Sequence, residues 1–103
     1  VRPRAYGIVR LDIAPHGSDA YVDDIRALAA ERGWDLRGVF LERSDESFPL
    51  LLASLGLSGF AAVVVPSIAH VSGWLDLLRQ SADVWTLDPP CRWPLETADR
   101  RVG

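Results

Sequence analysis

Six consecutive apolar residues, Phe60-Ala61-Ala62-Val63-Val64-Val65, are stopped by Pro66. A run this short and this rich in β-branched side chains predicts a strand, and its lack of alternation predicts burial on both faces. Burial on both faces needs helices above and below the sheet, so this one stretch commits the chain to a layered α/β architecture. Proline has no N–H for the next ladder position, so the strand should end there.

The other segments fit that demand. Tyr6 to Ile13 reads as a first strand, closed by the loop Ala14-Pro15-His16-Gly17. Ser18 or Asp19 can cap a helix whose Val22, Ile25, Leu28 and Ala29 share one face, and Gly33 suits its left-handed terminus. Leu36 to Glu42 follows as a second strand. Pro49 is tolerated in a first helical turn, and Leu50 to Leu55 make a short helix ending at Gly56. After the Val-rich strand, Pro66 to Ser72 reads as a loop, Gly73 to Ala82 as a third helix and Val84 to Leu87 as a fourth strand. The expected fold is therefore a three-layer α/β domain over residues 1–88, with about four mainly parallel strands flanked by helices. Pro89-Pro90 should end regular structure and leave a polar tail over 89–103.

Length and charge narrow the function classes. A chain of 103 residues fits one domain. Its 14 acidic residues outnumber 11 basic ones, whereas a domain that grips DNA across its surface normally carries a positive excess. Every basic residue is Arg, and Lys, Asn and Met are absent, a bias that a GC-rich bacterial genome imposes on composition. No stretch approaches a membrane span, and Val1-Arg2-Pro3-Arg4 does not lead into a signal peptide. Cys91 stands alone, so no internal disulfide can form and a cytoplasmic setting is expected.

The order of these segments, with three local patterns, resembles the N-terminal catalytic domain of serine recombinases, the resolvase/invertase family. Gly7-Ile8-Val9-Arg10-Leu11-Asp12 is similar to the family's opening Gly-Tyr-x-Arg-Val-Ser. Asp24-Ile25-Arg26-Ala27-Leu28, before Gly33, is similar to its x-x-x-Arg-Ala-Leu helix. Phe48-Pro49-Leu50-Leu51-Leu52-Ala53-Ser54-Leu55 is similar to its Arg-Pro-x-Leu-x-x-Leu-Leu segment, and Phe60 to Val65 stands where the family has its valine-rich strand. The likeness runs from about Arg4 to Leu87 and implies a resolvase-like fold.

The same resemblance implies a degenerate active site. Asp12 occupies the place of the nucleophilic serine. Ile68-Ala69-His70-Val71-Ser72-Gly73 stands for the family's Leu-Asp-Arg-Leu-x-Arg, so His70 and Gly73 replace two arginines and Arg10 alone remains of the cationic set. Physical chemistry points the same way. A carboxylate repels a phosphate brought against it, and an acyl phosphate is too readily hydrolysed to store a bond for religation. Each lost cationic contact removes on the order of 10²–10³ in rate. The chain from Pro89 onward also lacks the sustained helical period of the family's long dimer-forming helix, and no helix-turn-helix follows.

Other constellations are thinner. Asp12, His16, His70 and Cys91 include no pair at metal-ligand spacing, and neither a metal nor any other cofactor is expected. A hydrolase built on Ser67 or Ser72 with His70 and Asp12 lacks a Gly-x-Ser-x-Gly elbow. A phospho-acceptor domain needs a Lys, and a nucleotide site needs a Gly-rich loop; the chain has neither. The reading that remains is a recombinase-like domain without recombinase chemistry, acting through protein–protein contact or regulation. The alternatives are a small hydrolase or phosphoester-processing enzyme using Asp12 or His70, or a DNA-recombination accessory domain of a longer protein. Expected partners are a second copy or another protein, with weak or no DNA binding and no membrane. Trp74, Leu78 and Trp93, on the third helix and the tail, are the interface candidates.

Overall fold

The computed structural model describes residues 2–13, 16–44, 46–58, 60–88 and 90–94. Its strands are β1 (Arg4–Arg10), β2 (Asp35–Glu42), β3 (Ala62–Val65), β4 (Asp83–Leu87) and β5 (Pro90–Trp93), and its α-helices are α1 (Ser18–Arg32), α2 (Phe48–Ser58) and α3 (Leu75–Arg79). A 3-10 turn, Ile68–Val71, lies between β3 and α3. The strands form one sheet in the order β2-β1-β3-β4-β5, parallel except for the final β4–β5 pair.

β3 is the middle strand and every residue of it is buried, as its unbroken apolar run requires. On one face Ile25 of α1 packs against Val9 and Val64, with Leu28 and Trp34 at the margin. On the other, Phe48 and Leu51 of α2 and Leu78 of α3 pack with Ile8, Val63, Val65 and Val84. The result is three layers with the sheet between them. Gly7 permits the close seat of α1 on β1, because a Cβ there would lie 2.9 Å from Cγ2 of Ile25.

Several expectations need correction. The sheet has five strands, since Pro90–Trp93 turns back along β4 instead of opening a tail. Pro90 is tolerated because it begins an edge strand, where one side needs no ladder donor. Residues 95–103 of the expected tail lie outside the described residues. Neither Ser18 nor Asp19 caps α1: its N-cap is Gly17, at φ 91°, with no side-chain cap bond. The helix after Pro49 is longer than Leu50–Leu55, starting at Phe48 and continuing through Gly56 to Ser58. The loop after Pro66 holds the 3-10 turn, and the third helix is a short α3, not a helix from Gly73 to Ala82. Among the described residues no helix is long and apolar enough to cross a membrane.

Candidate functional site

Three of the four site positions expected from the sequence, Arg10, Asp12 and His70, meet at the end of β1. Arg10 closes that strand, and the N–H of Ile13 donates back to the Arg10 carbonyl at 3.1 Å, folding Leu11 and Asp12 into a turn. The turn brings the Asp12 carboxylate against the Arg10 guanidinium. Nε reaches Oδ1 at 3.1 Å and Nη2 reaches Oδ2 at 2.6 Å, a two-pronged, charge-assisted pair. Arg10 is the more covered partner, with 14% of its side chain exposed against 39% for Asp12.

His70 enters the same place from the 3-10 turn. Beyond Gly7 and Val64 the β1–β3 ladder ends, while the Leu11 N–H still finds the Glu42 carbonyl on the β2 side at 2.7 Å. The Arg10 N–H points to the other side, where Pro66 has ended β3. It donates instead to Nδ1 of His70 at 2.9 Å. The imidazole is buried, 2% exposed, and the Tyr21 ring of α1 meets it edge-on at 6.2 Å between centroids. His70 thus substitutes for a missing strand partner and locks the 3-10 turn to β1.

Electrostatics follow from these contacts. Hydrogen bonding and charge from Arg10 hold the Asp12 carboxyl below its ordinary value of 3.8. Burial pushes His70 below its ordinary 6.5, and the neighbouring Arg10 charge adds to this while Asp12 opposes it. A backbone N–H can only donate, so Nδ1 carries a lone pair and the neutral ring bears its proton on Nε2. That tautomer is the wrong one for a base accepting a serine proton at Nε2, which removes support from the Ser67 or Ser72 hydrolase.

The other predicted residues are scattered. Gly73 lies in the turn before α3 at φ 84°, where its left-handed backbone serves the chain reversal. His16 is exposed in the bend before α1, and Cys91 is exposed on edge strand β5. Among the described residues no three His, Cys, Asp or Glu side chains gather as a metal site. Leu78, expected at an interface, is 1% exposed and belongs to the core, because its turn of α3 faces the sheet. Trp74 is half-buried against Phe48, and Trp93 is half-buried against the same core from β5. Sequence reasoning missed Tyr21. The signal was present, since Tyr21, Ile25 and Leu28 follow the i, i+4, i+7 spacing of one helix face.

No protein-family model matches this chain, and neither does any curated protein. Among solved structures it is similar to the crystal structure of a resolvase family site-specific recombinase from Streptococcus pneumoniae. The two align with a TM-score of 0.71 and 12% identity, covering 88% of this chain and 76% of that one. At that identity the likeness is one of fold, and the fold is resolvase-like.

Proposed function

We propose that this is a recombinase-like domain that has exchanged strand-transfer chemistry for a role in protein association or regulation in the cytoplasm. The observation that carries the reading is the Arg10–Asp12 pair. The side chain at the nucleophile position is an anion, and the arginine that would meet a scissile phosphate has both prongs of its fork on that anion. An approaching phosphate meets the repulsion of that carboxylate and must compete with it, held at 2.6 Å, for the Nε/Nη2 edge of Arg10. His70, neutral and hydrogen-bonded, supplies no cation in place of the arginine that the resemblance puts there.

The association role is supported by apolar side chains left on the α2–α3 side: Leu50 is 78% exposed and Leu77 is 46% exposed, close in sequence to half-buried Trp74. A second copy of the chain is the simplest partner, since closed two-fold dimers are the commonest assembly of soluble domains.

The chemistry is tested by incubating the chain with supercoiled DNA and resolving the products on a denaturing gel. No covalent protein–DNA adduct is expected. An adduct that forms with the wild type and disappears in Asp12→Ala would overturn the reading.

A further inference from the structure

α1 is the one described helix on its face of the sheet, and it packs mainly over β1 and β2. The same face of β4 and β5 extends past it and leaves a cleft of about 460 Å³. Trp85 and Leu87 form the floor, and Leu28, Arg32 and Arg92 rise at the sides. That volume lies within the roughly 300–1,000 Å³ of small-molecule sites, and an apolar floor with a few convergent polar groups is their usual make-up.

The polar groups here are two guanidiniums on one indole. Cζ of Arg32 lies 4.6 Å from the Trp85 ring centroid, and Cζ of Arg92, directly across the β4–β5 ladder, lies 5.8 Å from it. Like charges brought to one ring repel unless an anion stands near them. Arg92 has one, bonded to Asp83 at 2.9 Å. Arg32 has none: its contact is with the ring, and no described carboxylate pairs with it. Glu31 is on the same wall, but adjacent helix positions point apart, so it does not close on its neighbour.

We infer that this cleft binds a small aromatic carboxylate, its ring lying against Trp85 and Leu87 and its carboxylate taken by the Arg32 fork. A planar guanidinium beside an apolar floor matches that class of ligand in both charge and shape. The site is separate from the Arg10–Asp12 pair and asks nothing of it.

The test is titration of the intact chain with naphthalene-2-carboxylate, followed by calorimetry and by the indole N–H resonance of Trp85. Saturable binding with a Kd below about 1 mM is expected. Arg32→Gln, an exposed helix substitution, should weaken it about tenfold or more through loss of the charged hydrogen bonds. Arg32→Lys should recover only part of the loss, because the charge returns without the fork. The neutral naphthalene-2-carboxamide should bind the wild type about tenfold more weakly than the acid. Absence of saturable binding by the folded wild type would overturn the inference. So would equal affinity for acid and carboxamide, or equal affinity of wild type and Arg32→Gln.

Discussion

The backbone N–H of Arg10 donates to Nδ1 of His70 across 60 residues of chain, at 2.9 Å. This bond finishes what the sheet leaves undone, because β3 stops at Pro66 while β1 still has a donor facing that side. It also fixes the charge state of the ring. A protonated imidazole would turn an N–H toward another N–H, and the burial of His70 already disfavours the cation. The contact is therefore a structural tie that works only when His70 is neutral.

Stability should fall in mild acid because of that tie. The folded pKa of His70 lies below its ordinary 6.5, so below that pH the unfolded chain binds a proton that the folded chain resists. The stabilisation is complete above pH 6.5 and is lost as pH drops through the folded value. Asp12, held below 3.8, adds a second loss at lower pH. Urea midpoints measured from pH 8 to pH 5 should decline in the wild type and flatten in His70→Phe. His70→Ala should destabilise by about 2 kcal/mol at neutral pH, since it strands the Arg10 donor. A pH profile unchanged by substitution at His70 would refute the linkage.

Removing the anion from the β1 turn should make the chain a slightly better ligand for phosphate. In Asp12→Asn the repulsion is gone and Arg10 loses its carboxylate partner. Non-specific binding to a fluorescent DNA duplex at low salt should strengthen, with a log–log salt slope steeper by about one unit. Binding should still vanish near physiological salt, given a net charge of −3 in the parent chain. Identical anisotropy curves for the two proteins would show that Asp12 does not screen Arg10.

Introducing a side chain at Gly73 should be costly for a backbone reason. Its φ of 84° is unfavourable for L-residues, while a Cβ there would meet nothing within 4 Å. Gly73→Arg and Gly73→Ala should therefore destabilise alike, by about 1–2 kcal/mol, and Gly73→Asn by less. Equal stability of Gly73→Ala and wild type in urea would remove this explanation for glycine at that position.

The parallel framework was legible because it is written in local pattern. Three consecutive valines named the central strand, and Ile25 and Leu28 named the buried face of α1. The fifth strand was not legible, because Pro90-Cys91-Arg92-Trp93 has weak strand propensity and is held by its partner β4. At the site, the sequence supplied Arg10, Asp12 and His70 as neighbours by resemblance. It could not supply the bond between a backbone donor and Nδ1, which depends on where β3 ends in space. Leu78 was misread for a related reason: a helix of five residues has too little sequence to show which side of its turn faces the sheet.

Self-association should run through the side of the sheet that bears α2 and α3. Leu50 and Leu77 are both exposed there, and burying one leucine in an interface is worth about 1.5–3 kcal/mol. In a two-fold dimer each substitution counts twice, so one charged residue at either position strikes both halves of the interface. Light scattering over a concentration series should show the wild type passing from monomer to dimer, with Leu77→Asp and Leu50→Asp shifting the transition to concentrations at least about tenfold higher. Because both side chains are solvent-exposed in the monomer, neither substitution should lower its urea midpoint appreciably. Trp74→Ala serves as the contrast: its ring packs on Phe48, so it should destabilise the monomer itself. A wild type that stays monomeric at every concentration would leave the exposed leucines without this role, and so would a dimer indifferent to both aspartates.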